Sequence, residues 1–268
     1  MVITSTANKQ IKAIRKLSHK KYRRESGLFY VEGLRQITSA MKHGARIEKL
    51  IFCDSLLESE FGRDLLEKAD NENVPLLEVS EDVFLSISMK EGPQGLCAVV
   101  HQDVRALAQV DALRGLWVAL ENVQDPGNLG TIMRTLDAVG GEGIILVGDK
   151  NTDATHPTSV RASMGAIFTL QVLHASLPEL REWLSDHEMD LVGAVCGPVS
   201  DYRGYNYSDD MILFMGSEQK GLTTEAKSLC SGQVTIPMVG TVDSLNLANA
   251  TSILLYEIFR TIHPMEEK

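Results

Sequence analysis

Three polar segments of this chain have the residue types and spacing of a ligand site. The first, "ENVQDPGNLGTIMRT" at 121–135, directly follows an apolar run, and the other two are "GSEQKGL" at 216–222 and "IPMVGTVDSLNLANA" at 236–250. Each segment lies at the predicted carboxyl end of a β-strand. Ligands of parallel sheets bind beyond those strand ends. We therefore place the candidate functional residues in these three segments.

The first segment contains two residues that helix capping does not explain. Asn122, Asp125 and Asn128 can cap exposed amides of the helix that follows. Gly130 has no such role, and a glycine inside a helix costs about 1 kcal/mol relative to alanine. It lies four residues before Arg134, on the same helix face. Gly130 would let a ligand approach that face, while Arg134 offers its planar guanidinium to a phosphate or carboxylate.

The other two segments each allow a structural interpretation beside a functional one. Glycines bracket Glu218, and this pattern more often marks a solvated turn than a general base. The third segment precedes an apolar helix, which we predict to begin at Ser244 with Asp243 or Ser244 as its N-cap. Asn246 and Asn249 lie three residues apart near that start. Local capping is the simpler explanation for Asn249, and Asn246 is retained as a functional candidate.

Several common kinds of site are not indicated by the sequence. The chain has no P-loop, no G-x-G-x-x-G dinucleotide motif and no G-x-S-x-G nucleophile elbow. Its four cysteines are scattered and its seven histidines have no zinc-binding spacing, which predicts no metal. No apolar run is long enough to span a bilayer, and the first residues lack the apolar stretch of a secretory signal. We therefore expect a cytoplasmic protein.

The charge is distributed unevenly along the chain. The net charge is -10, yet residues 1–35 contain nine basic and two acidic residues, a balance of +7 that leaves -17 for the other 233 residues. Such a basic block is either a solvated helix face or an electrostatic contact for phosphates. The nine basic residues, called here the basic block, are Lys9, Lys12, Arg15, Lys16, Lys20, Lys21, Arg23, Arg24 and Arg35.

The pattern of apolar runs predicts two α/β domains. Residues 1–102 alternate short strands with helices, 103–115 have weak periodicity and are predicted to form a linker, and the alternation restarts over 116–268. Repeated βα alternation favours a mainly parallel sheet with helices on both faces. We expect helices near 59–70, 81–88, 127–139 and 158–165, and a long final helix from Ser244.

Taken together, the three segments resemble the signature motifs of the SpoU-type (TrmH-like) branch of the SPOUT superfamily, the RNA 2′-O-ribose methyltransferases. The segment "VRASMGAIF" at 160–168 also resembles a family segment that lines the site, whereas Asn249 stands where the family usually has a small or apolar residue. The residues that match the motifs are Asn122, Asp125, Asn128, Gly130 and Arg134 in motif one, Gly216, Glu218, Gly221 and Leu222 in motif two, and Ile236, Pro237, Met238, Ser244, Leu245 and Asn246 in motif three.

The resemblance extends to the first domain, where "KLSHKKYRRESGLFYVEGLRQI" at 16–37 is similar to the start of a substrate-binding domain related to ribosomal L30e/L7Ae proteins. It therefore implies a smaller L30e-like α/β domain (1–102) that binds RNA, followed by a SPOUT α/β domain (116–268) with a trefoil knot. The second domain would bind S-adenosyl-L-methionine and form a homodimer. On this basis the basic block is expected to contact RNA phosphates.

The resemblance also implies roles for individual residues. Catalysis would involve Arg134 as the activating group, Asn128 and Asn246 as orienting groups, and Glu218 as a reserve base. Arginine holds its proton in proteins, so Arg134 has two possible roles, base or electrostatic clamp on the developing alkoxide, of which the clamp is physically easier. The residues expected to bind the cofactor are Gly216, Ser217, Glu218, Ile236, Met238, Ser244, Leu245 and Asn246.

The expected activity is methyl transfer to a ribose of ribosomal (23S-type) RNA. Two alternatives stay open, a transfer-RNA ribose methyltransferase and a non-catalytic RNA-binding assembly factor that kept the fold. The separate N-terminal domain favours ribosomal RNA, because the transfer-RNA enzymes of this branch have short terminal extensions instead. The intact motifs argue against a non-catalytic protein. A resistance methyltransferase of an antibiotic producer is a narrower variant of the first reading.

Overall fold

The structure is a computed structural model, and it describes residues 2–263. The helices are α1 (Lys9–Lys16), α2 (Lys20–Ser26), α3 (Leu34–Lys42), α4 (Glu60–Asn71), α5 (Glu81–Ile87), α6 (Pro126–Ala138), α7 (Pro157–Ala162), α8 (Leu177–Asp186), α9 (Thr224–Leu229) and α10 (Leu247–Ile262). The strands are β1 (Leu28–Glu32), β2 (Ile47–Phe52), β3 (Leu76–Glu78), β4 (Leu96–His101), β5 (Val104–Ala106), β6 (Leu116–Glu121), β7 (Gly143–Val147), β8 (Gln171–Ala175), β9 (Asp190–Ala194), β10 (Ser200–Asp201), β11 (Met211–Met215) and β12 (Gly232–Thr235).

The chain divides into two compact units. The first comprises the chain up to Gln102 together with Thr155–Phe168, and the second comprises Asp103–Ala154 and the chain from Thr169 onward. The inclusion of 155–168 in the first unit is not predictable from the alternation of strands and helices, because α7 follows β7 directly in sequence. Its Val160 is buried in an apolar cluster with residues of β1 and α3.

The first unit is built on a four-stranded sheet of order β1-β4-β2-β3, in which only the β2–β3 pair is parallel. Side chains alternate across the sheet, so each face carries its own apolar cluster. One face packs against Ile11 and Ile14 of α1 and Phe84 of α5. The other packs against Ile37 of α3 and Leu65 of α4. The sheet is therefore covered on both faces.

The second unit is an eight-stranded sheet of order β10-β12-β9-β11-β6-β7-β8-β5, and all of its strand pairs are parallel. The central strands β6, β7 and β11 are buried along their whole length, as expected for strands covered on both faces. This confirms the predicted α/β class with a mainly parallel sheet. The carboxyl ends of β6 and β11 are neighbours, which brings the first two polar segments together.

The segment predicted to be a linker is part of the second unit. Within 103–115, β5 pairs with β8 at the edge of the sheet, and a short 3-10 helix follows over Leu107–Gln109. Leu107 and Leu113 are buried in the core of this unit. The burial of these two leucines explains why the segment is ordered despite its weak periodicity.

The other predicted elements agree with the structure except at two ends. The helices expected near 59–70, 81–88 and 127–139 are α4, α5 and α6. The helix expected over 158–165 is shorter, since α7 ends at Ala162. The final helix begins at Leu247 and not at Ser244, because Asn246 is its N-cap. Among residues 2–263, no helix combines the length and apolar character that a bilayer crossing requires.

Candidate active site

The loop between β6 and α6 is fixed by its own polar side chains. Asp125 is the N-cap of α6, and its Oδ1 accepts a hydrogen bond from the Asn128 amide at 2.7 Å. Asn122 adopts a left-handed φ of 55°, and its Oδ1 accepts from the Lys150 amide at 3.2 Å. A Cβ atom on Gly148 would lie 2.7 Å from the same oxygen, so a glycine is needed there. Of the three residues expected to cap α6, Asp125 alone does so through its side chain.

The Glu218 carboxylate lies at the amino end of α6. It accepts from Asn128 Nδ2 at 3.1 Å, from the Asp125 amide at 3.4 Å and from the Gln124 amide at 3.5 Å. Free amides and the helix dipole stabilise a negative charge at this end of a helix. Glu218 is thus more than a solvated turn residue, since it joins the second polar segment to the first.

Asn246 joins the third segment to the same group. Its Oδ1 accepts from the Ala248 and Asn249 amides at 2.9 and 3.2 Å, which makes Asn246 the N-cap of α10. Its Nδ2 donates to Asn128 Oδ1 at 3.0 Å. Asn246 therefore has both of the roles that the sequence left as alternatives, capping and participation in the polar site. Asn249 contributes only its backbone amide to the cap.

The structure brings three of the four expected catalytic residues together, namely Asn128, Glu218 and Asn246, and we call them the polar triad. Arg134 is exposed on α6, and its side chain makes no hydrogen bond or ion pair within residues 2–263. It follows Asn128 by six residues, which in a helix is a rise of about 9 Å and a rotation of about 240°. Within a single copy of the protein, the Arg134 side chain therefore does not contact the polar triad.

A cavity of about 450 Å³ opens beside the polar triad in the second unit. Its walls come from the ends of β9, β11 and β12 and from the start of α10. The expected cofactor-binding residues that line it are Gly216, Ser217, Glu218, Ile236, Met238, Ser244 and Leu245, and Asn246 is not among the lining residues. Sequence reasoning missed the lining residues Ala194, Val195 and Cys196, although their position at the carboxyl end of β9, a neighbour of β11, is the signal that locates them.

The loop at 216–222 turns back on itself very tightly. A Cβ atom on Gly216 would lie 1.9 Å from the carbonyl carbon of Gly221 and 2.0 Å from the amide nitrogen of Leu222. The Gly221 amide donates to the Ser217 carbonyl at 2.9 Å, and Gly221 has a φ of +63°. Glycine at 216 is therefore a steric requirement of the loop that forms one wall of the cavity.

A buried carboxylate that sequence reasoning missed holds the end of this loop. Glu121, the last residue of β6, is only 4% exposed, and its two oxygens accept from the amide and the hydroxyl of Thr223, both at 2.8 Å. Thr223 also caps α9 through a bond from the Ala226 amide. Charge at the end of the apolar strand "LWVALE" is the signal that could have identified Glu121.

The basic block lies on α1, α2 and the start of α3 in the first unit, and eight of its nine residues are exposed. Arg23 is the exception and a correction to the predicted RNA-binding set, because it is 1% exposed. Its guanidinium donates to the carbonyls of Leu17 and Ser18 at 2.8 and 2.9 Å, which closes the turn between α1 and α2. Arg15 is exposed but bonded to Ser86.

Two family models match the chain. The SpoU rRNA Methylase family model matches residues 115–256, which includes all three polar segments. A model of the MRM3-like substrate binding domain matches residues 8–98.

Known relatives match almost the full chain. An AdoMet-bound rRNA methyltransferase from Sinorhizobium meliloti has a TM-score of 0.89 and 34% identity, with 98% of each chain covered. The 23S rRNA (uridine(2479)-2'-O)-methyltransferase of Streptomyces viridochromogenes is 31% identical over 91% of this chain and 86% of its own. The 23S rRNA (guanosine(2553)-2'-O)-methyltransferase RlmP of Bacillus subtilis is 28% identical over 96% and 98%. The chain therefore belongs to the SpoU rRNA methylase family.

Proposed function

We propose that this protein is an S-adenosylmethionine-dependent methyltransferase that modifies a ribose 2′-hydroxyl in 23S-type ribosomal RNA. The observation that carries the proposal is the meeting of the polar triad, one residue from each motif, beside the 450 Å³ cavity. Two of the similar proteins, from Streptomyces viridochromogenes and Bacillus subtilis, are 23S rRNA 2'-O-methyltransferases by name. The match covers 86% and 98% of the length of these two proteins and more than nine-tenths of this chain, so it extends into the first unit.

The cavity fits the cofactor. Its volume lies within the range of about 300–1,000 Å³ that small-molecule sites have. Its lining combines apolar side chains such as Leu247 and Leu254 with the polar groups of Ser217, Ser244 and Asp243. The tight turn at Gly216 places main chain in the wall, where a side chain would not fit. When bound, S-adenosylmethionine supplies an electrophilic methyl group.

We assign the work of this chain to orientation and electrostatics. Asn128 and Asn246 orient the 2′-hydroxyl, because their amides form one hydrogen-bonded unit that Glu218 holds in place. Correct placement of reacting groups supplies several kcal/mol of a transfer barrier. Arg134 stabilises the alkoxide that develops as the hydroxyl loses its proton, and Glu218, the reserve base, accepts that proton.

The proposal includes a homodimer and a trefoil knot in the second unit, both implied by the family resemblance. Exposed apolar side chains on α10 support a dimer surface: Ile253, Tyr256 and Phe259 are 37%, 55% and 38% exposed. Apolar surface of this kind commonly marks a contact between proteins. A second copy offers a way for the exposed Arg134 to reach a polar triad. The cytoplasmic location expected from the sequence stays a prediction.

The test is transfer of label from methyl-labelled S-adenosylmethionine to unmodified 23S rRNA and, separately, to unmodified transfer RNA. The proposal predicts label in 23S rRNA alone. Label in transfer RNA alone would contradict the assigned substrate, and label in neither RNA would favour a non-catalytic RNA-binding protein.

A further inference from the structure

A second cavity, of about 310 Å³, lies entirely within the first unit at its edge strand β1. Its walls come from the α1–α2 connection, the end of β1, the loop after α5, and α7. The residues that the argument uses are Ser18, Tyr30, Glu32, Lys90 and Arg161. None of them lines the cavity of the second unit, although Arg161 lies in the segment 160–168 that resembles a family segment lining the site.

Two cations of this cavity lack a paired anion. Neither Lys90 nor Arg161 makes an ion pair within residues 2–263, and both residues line the cavity. The Glu32 carboxylate, which also lines it, is satisfied by neutral donors, the Ser88 hydroxyl at 2.6 Å and the Met89 amide at 2.9 Å. Burial lowers the pKa of Lys90 most, the Glu32 carboxylate raises it, and the charge of Arg161 lowers it by a smaller amount. An anion between the two cations would relieve their repulsion.

The position of Lys90 also depends on a glycine. A Cβ atom on Gly33 would lie 2.5 Å from Lys90 Nζ, so a side chain at 33 would displace the ammonium group. Gly33 is the N-cap residue of α3, so no side chain caps the first amides of this helix. The positive end of the α3 dipole therefore lies next to Lys90 and adds to the attraction for an anion.

A buried hydroxyl gives an independent indication of a ligand. Tyr30 is 2% exposed and lines the cavity, and its hydroxyl makes no hydrogen bond of standard geometry within the described residues, although the Glu32 and Cys97 side chains interact with it. It lies close to the Glu32 carboxylate and the Cys97 thiol, and burial is the main cause that raises its pKa. Buried hydroxyls in folded proteins are nearly always hydrogen-bonded. A polar atom of a ligand would complete this one.

We propose that this cavity binds one nucleotide of the RNA substrate, with its phosphate between Lys90 and Arg161 and its base edge at the Tyr30 hydroxyl. The inference rests on the proposed function for the identity of the RNA. A nucleotide suits the site better than a free anion, because the cavity is larger than a phosphate and Tyr30 is among its lining residues. Ser18 connects it directly to α1 and α2, which present the exposed part of the basic block to RNA.

Filter binding of the full-length protein to an unmodified 23S rRNA transcript, over a series of salt concentrations, tests this inference. Lys90→Ala and Arg161→Ala should each weaken binding about tenfold and reduce the slope of log K against log salt by about one. Arg161→Lys, which keeps the charge, should bind nearly as the wild type does. Tyr30→Phe should weaken binding several-fold without changing the slope, because it removes no charge.

Controls separate the cavity from general effects. Lys68→Ala removes an exposed charge on α4 that is outside the cavity, and it should leave affinity and slope unchanged. The far-UV circular dichroism and the urea midpoint should be unchanged in every variant, which shows that each one is folded, and S-adenosylmethionine affinity should be unchanged because its cavity lies in the second unit. Wild-type affinity and slope in both alanine variants, with methyl transfer intact, would overturn the inference and leave the proposed function standing. Wild-type affinity in Tyr30→Phe would contradict the contact between the nucleotide base and the Tyr30 hydroxyl. Failure of the wild-type protein to bind 23S rRNA would overturn both this inference and the proposed function.

Discussion

The side-chain amide of Asn246 donates to Asn128 Oδ1 at 3.0 Å, a hydrogen bond that joins the starts of α10 and α6 across 118 residues of sequence. The Asn128 side-chain amide in turn donates a hydrogen bond to the Glu218 carboxylate. The polar triad is therefore one hydrogen-bonded unit, and a change in its central member should disturb the whole unit.

We predict that Asn128→Ala lowers kcat about 100-fold while it costs only about 1 kcal/mol of unfolding free energy. S-adenosylmethionine affinity should change much less than kcat, because Asn128 does not line the cavity and of its two partners only Glu218 does. Steady-state kinetics and calorimetric titration measure these effects. Asn249→Ala, the same substitution at an exposed neighbour of the cap, is the matched control and should behave as wild type. Unchanged kcat in Asn128→Ala would remove the triad from catalysis.

Gly216→Ala should abolish tight cofactor binding. The added methyl group would overlap the main chain at Gly221, so the loop must open and the cavity wall must move. We expect the Kd for S-adenosylmethionine to rise more than about tenfold, a loss of about 1.4 kcal/mol. Gly204→Ala is the control, because a Cβ atom there meets no atom within 4 Å. Equal affinity in the two variants would show that this loop does not form the cofactor site.

Alkylation should distinguish the cysteines of the second unit. Burial, and then the Glu121 carboxylate, raise the pKa of the Cys230 thiol to about 11. Below that pH the thiol stays protonated and unreactive, since the thiolate is the nucleophile. Cys196 is exposed and lines the cavity. At pH 8 we expect iodoacetamide to modify Cys196 and not Cys230 by peptide mass spectrometry, and bound S-adenosylmethionine should slow the reaction. Alkylation of Cys196 at an unchanged rate would place the cofactor elsewhere.

Two adjacent arginines should respond differently to the same substitution. Arg23→Ala removes the buried guanidinium that bonds Leu17 and Ser18, and it should cost on the order of 3 kcal/mol of unfolding free energy. Arg24 is exposed. Arg24→Ala should leave urea unfolding unchanged and make RNA binding weaker and less dependent on salt. The reverse pattern would mean that the exposed part of the basic block does not bind RNA.

Much of the fold was predictable because its signals are local. The apolar runs of β6, β7 and β11 and the helical periods of α4 and α6 are visible in the sequence. The meeting of motifs one and two follows from strand order, once β6 and β11 are neighbours in a parallel sheet. The burial and the hydrogen-bond partners of single residues were less predictable, because they depend on contacts with residues that are distant in the sequence.

Three differences illustrate that dependence. Nothing in a run of basic residues marks Arg23 as the one that folds inward to bond main-chain carbonyls. The N-cap of α10 is Asn246 because the loop before it stays irregular and forms the cavity wall through Ser244 and Leu245. The carboxylate of Glu121 becomes structural only when Thr223, about a hundred residues later, supplies two donors.

The most direct test of the account is the position of the methyl group on 23S rRNA after reaction with the wild-type protein and labelled S-adenosylmethionine. Digestion to nucleosides and mass spectrometry should find the label in a 2′-O-methylated nucleoside, with the modified linkage resistant to alkaline hydrolysis. Arg134→Ala should give no product although it still binds the cofactor. Label on a base, or full activity in Arg134→Ala, would contradict the mechanism proposed for this site.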